Sequence, residues 1–162
     1  ETKLSLRRVI KIAKVRIYTD GACSKNPGPG GWAAVLLFSN SKQEISGFEP
    51  DTTNNRMELK AIIEAIKLAQ TLGYNKIDVY SDSSYCVNTV RNKWIKKWEY
   101  NGWKTIKGEN VKNKDLWEKL SQLIKKHKGV NLIKVKGHSG NKHNERADLL
   151  ARKEIERMRL NA

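Results

Sequence analysis

Two short runs of β-branched and aromatic residues, VRIYTD (15–20) and KIDVYSD (76–82), each stop on an aspartate. Between them the hydrophobic period lengthens from two residues to about 3.6. Leu59, Ile62, Ile63, Ile66, Ala69 and Leu72 recur at helical spacing, with Thr53, Asn54 or Asn55 able to cap the start and Gly73 able to stop the chain. A strand, a long amphipathic helix and a second strand restrict the possible architectures sharply. The helix must cover one face of a sheet that holds both strands.

The remaining segments fit that frame. GWAAVLLF (31–38) and QEISGFE (43–49) read as two further strands joined by the polar SNSK, so the first three strands form an antiparallel meander. SSYCVNTV reads as a second helix, DLWEKLSQLIKKH (115–127) as an amphipathic one, GVNLIKVKG (129–137) as a strand and NERADLLARKEIERMR (144–159) as a final helix. The expected fold is α/β: a five-stranded mixed sheet, three strands in a meander and two parallel, flanked by helices. In such sheets ligands bind at strand ends where the connection direction changes. Asp20 and Asp82 are both expected there.

Charge narrows the partner. The chain carries 32 Lys and Arg against 17 Asp and Glu, a net charge of +15. Such a surface favours a polyanion, because each cation facing a phosphate releases condensed counterions; a generically solvated basic surface is the plain alternative. Residues 91–114 hold eight Lys or Arg, two Glu and three of the five Trp, which marks them as a basic insert. No apolar run is long enough to span a bilayer. Cys23 and Cys86 lack metal-ligand spacing and read as ordinary small residues in a reducing, cytoplasmic setting. Residues 1–14 read as a basic N-terminal extension, with Lys3, Arg7, Arg8, Lys11 and Lys14 able to brush a phosphate backbone, and residues 15–159 as the main domain.

Acids are scarce in this chain, so those in special places stand out. Asp20 and Asp82 end strands, Glu58 sits in the first turn of the long helix, and Asp148 lies early in the last helix. Clustered carboxylates repel one another unless a cation compensates. Mg²⁺ suits a site with few carboxylates, several waters and substrate phosphate oxygens. Each acid also has a plain reading: Glu58 as a helix-start charge, Asp148 as an i+4 partner of Arg152, Asp20 and Asp82 as turn caps. His138 follows a strand in a loop and can move protons near neutral pH, while His127 and His143 read as surface residues. The Gly/Pro stretch after Asp20 lacks the GK[ST] of a phosphate-binding loop and opens no helix. It reads as a tight turn that lets backbone pass close to a ligand.

TDGACSKNPGPGGW, TTNNRMEL, YSDSSY and KGHSGNKHNERAD, in this order and at these spacings, closely resemble the four sequence blocks of type 1 ribonuclease H. The resemblance runs from Val15 to Ile155, and each block contributes one carboxylate. It implies endonucleolytic cleavage of the RNA strand of an RNA/DNA hybrid, leaving 5′-phosphate and 3′-hydroxyl ends. It implies two Mg²⁺ ions, with Mn²⁺ as a substitute, held by Asp20, Glu58, Asp82 and Asp148. Asp20 would be shared by both ions, Asp148 would serve the ion that activates water, and Glu58 and Asp82 the leaving-group side. His138 matches a mobile histidine of the family, and Glu145 an accessory acid or a helix-start carboxylate.

For the substrate, Asn26, Asn54, Asn55 and Ser83 match positions that contact the hybrid near the site. Thr53 and Asn113 match a pocket for a DNA-strand phosphate. The 91–114 insert matches the basic handle of cellular members, with Trp94 and Trp98 on one helix side and Lys96, Lys97 and Lys104 as phosphate contacts; Trp103 and Trp117 are expected to pack. Two positions depart from the pattern: Asp51 stands where many members carry Arg in the phosphate pocket, and Ser84 where many carry Gln. A monomeric, stand-alone enzyme is expected. The alternatives are a silent hybrid-binding module, disfavoured by the complete carboxylate set, and the ribonuclease H portion of a reverse transcriptase.

Overall fold

The computed structural model describes residues 13–137 and 140–161. Its five strands are β1 (Lys14–Cys23), β2 (Gly28–Leu37), β3 (Lys42–Thr52), β4 (Lys76–Ser81) and β5 (Val130–Lys134). The helices are α1 (Asn54–Thr71), α2 (Ser84–Arg91), α3 (Trp94–Tyr100), α4 (Lys114–Lys126) and α5 (Lys142–Leu160). The strands lie in one sheet in the order β3-β2-β1-β4-β5. β1–β2 and β2–β3 pair antiparallel, whereas β1–β4 and β4–β5 pair parallel. This is the mixed sheet expected from the sequence.

The strands around the Gly/Pro stretch run further than their sequence suggests. β1 continues past Asp20 to Cys23, and β2 starts at Gly28, so only Ser24–Pro27 turns, closed by a Ser24 N–H to Pro29 carbonyl bond of 2.9 Å. Asp20 therefore lies inside a strand, opposite Ala33, and not at its end. The glycines permit close helix contact. A Cβ on Gly21 would sit 2.3 Å from the Glu58 nitrogen in α1, and one on Gly31 would sit 2.1 Å from the Ala151 carbonyl oxygen in α5. Gly31 pairs with Ala22, whose side chain points away from the Gly21 face. The two glycines thus seat α1 and α5 on opposite faces of the sheet.

The main core fills the α1 face. Val15, Ile17, Leu36, Ile77 and Val79 of the sheet meet Leu59, Ile62, Ile63 and Ile66 of α1 and Trp117 and Leu120 of α4. Thr53 caps α1, accepting from the Arg56 N–H at 3.2 Å, and Gly73 at φ 90° follows its last turn. Leu72, periodic in sequence, falls at the C-cap and is exposed. Among the described residues, no helix is long and apolar enough to cross a membrane. Gly31→Ala is expected to destabilise the fold by about 1–3 kcal/mol through overpacking against the α5 backbone, read as a lower urea midpoint with unchanged slope.

Candidate active site

Pairing between β1 and β4 ends at Tyr18–Tyr80, but β1 continues for five more residues while the β4 chain turns away into α2. This leaves an open notch beside Asp20 at the point where connection direction changes. Asp82 is the first residue beyond β4, and Glu58 enters from the first turns of α1. Oxygens of Asp20, Glu58 and Asp82 all lie within 4.8 Å of one another. The Gly21 N–H donates to Asp20 Oδ1 at 2.9 Å and to Glu58 Oε1 at 2.8 Å. Asp148 of α5 lines the same cleft and interacts with Asp20, while Arg152 Nε holds its other side at 3.0 Å. The i+4 pairing anticipated from sequence thus coexists with a place at the site.

Burial dominates the electrostatics. Asp20 is 7% exposed and Glu58 4%. Desolvation, with added repulsion from Asp82 and Asp148, pushes the Asp20 carboxyl up to about 7. Desolvation also raises Glu58 well above the ordinary range, reinforced by Asp20 and opposed by the Gly21 amide. A divalent cation would reverse this preference for the neutral form. The donor set fits one: three carboxylates offer hard oxygens, and buried Glu58 Oε2 has no hydrogen-bond partner among the described residues. An oxygen left unsatisfied in a protein interior is costly unless a ligand completes it.

The cleft has a volume of about 510 Å³, and Asn54, Asn55, Ser83 and Glu145 line it with the carboxylates. Asn26 lies at its rim, where its Oδ1 accepts from the Asn54 N–H at 3.2 Å. Thr53 and Asn113 lie outside the cleft, joined through Arg56: Thr53 accepts from its backbone and Asn113 from its guanidinium. Asp51 is exposed near the end of β3. His138 falls outside the described residues.

A second hollow, about 800 Å³, runs along the handle and is lined by Trp94, Lys97, Trp98 and Lys104 among others. Lys97 Nζ stands 4.5 Å from the Trp94 ring centroid, a cation–π contact, and Lys104 Nζ bonds Asn110. Lys96 instead lines a different hollow, beside Ile95 and Glu99 on another side of α3. Trp98 packs on Trp103 and on the fully buried Trp117.

Two residues escape a sequence reading. Tyr85 lines both the cleft and the handle hollow. Asn144 lines the cleft from the same helix side as Asp148, four residues on; it is 4% exposed, and its Oδ1 has no partner among the described residues. The i, i+4 spacing was the available signal for Asn144. Tyr85 offered none, because its position depends on where α4 packs.

The raised carboxyls predict how stability varies with pH. A folded-state value near 7 against 3.8 when unprotected means the folded metal-free protein retains a proton that the unfolded chain releases. This contribution to stability is fully present below about pH 4 and is lost as pH rises through about 7. In EDTA, Asp20→Asn is therefore expected to raise Tm above the parent's increasingly from pH 4 to pH 8. Added Mg²⁺ is expected to stabilise the parent more at pH 8 than at pH 6. A parent–variant difference that does not vary with pH contradicts the assignment.

The sequence model of the RNase H family matches residues 13–156. Ribonuclease H of Acetivibrio thermocellus is 54% identical over 146 residues, spanning 90% of this chain and 97% of that protein. Ribonuclease H of Thermoanaerobacter sp. strain X514 is also 54% identical, spanning 90% and 92% respectively. Among solved structures, LC9-RNase H1, a type 1 RNase H with the type 2 active-site motif, superposes with a TM-score of 0.78 at 30% identity, covering 89% of this chain and 72% of that one. LC11-RNase H1, solved in complex with an RNA/DNA hybrid, shares the fold with a TM-score of 0.70 at 24% identity, covering 90% and 99%. With three acids of its sequence blocks gathered at one notch and a family match over most of its length, this chain belongs to the ribonuclease H family.

Proposed function

We propose that the protein is an endoribonuclease that hydrolyses the RNA strand of RNA/DNA hybrids with two divalent metal ions, leaving 5′-phosphate and 3′-hydroxyl ends. The observation that carries this reading is the convergence of Asp20, Glu58 and Asp82 with buried Glu58 Oε2 unpartnered. Mg²⁺ is the proposed ion, with Mn²⁺ as a substitute. Bound there, such ions neutralise charge at the scissile phosphate and lower the pKa of the attacking water.

The chain's own residues supply the placement. Asp20, Glu58 and Asp82 hold the cations, and the Gly21 amide fixes one oxygen of Asp20 and one of Glu58. Asp148, steadied by Arg152, closes the α5 side. His138 serves proton movement, and Glu145, which lines the cleft, is an accessory acid. Asn26, Asn54, Asn55 and Ser83 meet the hybrid across the cleft, where amides that donate and accept can read a 2′-hydroxyl. Trp94 and Trp98 offer aromatic faces, and Lys97 and Lys104 track phosphates. The lining of the second hollow, which Lys96 does not share, supports Lys97 and Lys104 above Lys96. The enzyme acts in the cytoplasm as a monomer, with residues 1–14 as an extension of the catalytic domain at 15–159.

The decisive assay incubates the protein with labelled hybrid, double-stranded RNA and double-stranded DNA, in Mg²⁺ or in EDTA. Cutting confined to the RNA of the hybrid, dependent on Mg²⁺ and abolished by Asp20→Asn, is expected. Cutting of all three duplexes, or activity that survives Asp20→Asn, refutes the reading. For the handle, Lys97→Ala with Lys104→Ala is expected to raise KM and to reduce the slope of log affinity against log salt by about 2, whereas Lys96→Ala changes the slope little. An unaltered slope in the double variant removes the handle from the electrostatic contact.

A further inference from the structure

Helix α5 lies on the sheet through Asn144, Ala147, Ala151, Glu154 and Ile155, the residues of its buried face. Two of these are polar, and they differ. Glu154 accepts from the Ser46 hydroxyl at 2.8 Å and stands 3.7 Å from Arg157. Asn144 is 4% exposed, and its Oδ1 has no hydrogen-bond partner among the described residues. The helix does not need this amide as a cap. Asn141 caps it, accepting from the His143 and Asn144 N–H groups at 3.0 and 3.1 Å. An apolar side chain at position 144 would serve packing and leave no polar atom unsatisfied.

Buried side-chain oxygens of Thr19, Thr52, Glu58, Asn75 and Asn144 lack partners among the described residues. Of these five residues, only Glu58 and Asn144 line the carboxylate cleft, one from α1 and one from α5. An orphan acceptor is answered by a donor or a cation. The ionised acids around Asn144 supply neither, and a phosphate oxygen is itself an acceptor. Oδ1 is also buried, so a hydroxyl or base edge carried on a bulky duplex does not reach it. A small turn about χ2, a soft torsion in Asn, admits a water molecule. Water bound to a divalent cation is polarised towards donation. Asp20, Glu58, Asp82, Glu145 and Asp148 already crowd the cleft with negative charge. An amide adds an acceptor without adding to that repulsion.

We propose that Asn144 is a positioning residue of the cation site, its side-chain carbonyl accepting from a cation-bound water on the α5 side of the cleft, beside Asp148. The inference rests on the proposed metal-dependent function and deepens it by one residue. The same oxygen lowers the stability of the metal-free protein and raises its affinity for the hydrated cation. Deleting it therefore moves the two quantities in opposite directions, which the loss of a packing residue does not.

The test compares the wild type with Asn144→Leu, which keeps the approximate shape and deletes the acceptor, and with Asn144→Asp, which keeps an acceptor. In EDTA, Asn144→Leu is expected to raise Tm by about 2–4 °C, the scale of one relieved buried polar group in a chain of this length. In calorimetric titration with Mg²⁺ alone, Asn144→Leu is expected to bind about three- to tenfold more weakly, the scale of one hydrogen bond, and its Mg²⁺-induced rise in Tm shrinks to match. Asn144→Asp is expected to bind Mg²⁺ at least as tightly as the wild type. Hybrid affinity measured in EDTA is expected to be the same for the wild type and Asn144→Leu. If Asn144→Leu fails to fold by circular dichroism, Asn144→Ala decides by the Mg²⁺ titration. That titration contains no nucleic acid, so it separates this inference from the proposed activity. A wild type that binds no Mg²⁺ overturns both. A wild type that binds Mg²⁺ and leaves every hybrid intact overturns the proposed activity, and the titration of the variants still decides the role of Asn144. A folded Asn144→Leu that matches the wild-type Mg²⁺ affinity, whether or not it loses hybrid affinity in EDTA, overturns the role of Asn144 alone.

Discussion

The Gly21 amide donates to Asp20 and to Glu58 together, and the rest of the site is arranged around that shared bond. It forms because α1 approaches β1 so closely that a Cβ at position 21 would collide with the α1 backbone. It remains available because β4 has already left the sheet beside it. Sheet topology, a missing side chain and a free N–H thus combine at one residue. Without the close approach, Glu58 would be an ordinary helix-start carboxylate on a basic protein.

The same geometry explains why strong negative character is concentrated inside a chain of net charge +15. Surface acids here are mostly paired: Glu44 with Arg146, Asp115 with Arg56, Glu99 with Lys125. Those pairs hold the three carboxyls below their usual range, through the partner's hydrogen bond in Glu44, Asp115 and Glu99 alike. Asp20 and Glu58 differ, since burial raises both and no cation among the described residues pairs with them. In ionised form they are an anionic pocket beneath a cationic exterior. A polyanion drawn to that exterior would meet repulsion at the notch unless metal ions intervene, so binding and metal loading are physically coupled.

The sheet was legible in sequence because its strands and helices carry clean periods, and because a meander followed by helix–strand units leaves few topologies. Asp20, Glu58, Asp82 and Asp148 were picked out by the four sequence blocks more than by any local pattern; the first three lie together in the fold and Asp148 lines the same cleft. The extent of β1 and β2 was not. Gly and Pro have low strand propensity, so the stretch after Asp20 reads as one long turn. Yet residues 21–23 belong to β1 and residues 28–30 to β2, with helix α1 packed on Gly21, a tertiary reason that no local pattern carries. Lys96 and Lys97 are adjacent and identical in sequence, but a helix sends neighbours about 100° apart, and only Lys97 lines the handle hollow.

Tyr85 shows how distant segments are brought into one register. It stands three residues after Asp82, at the start of α2, so its backbone is fixed to the carboxylate notch. Its hydroxyl is fixed to Trp117, which is fully buried in the core, and to Asn113, the residue before α4. The handle, residues 91–114, leaves the body after α2 and returns at α4. Its two roots are therefore tied across one phenol oxygen. The distance between the carboxylates and the handle is thereby set by a core-anchored side chain. Spacing along a helical duplex is what separates a productive phosphate from its neighbours, and a rigid tie between the notch and the handle fixes that spacing better than mobile surface lysines can.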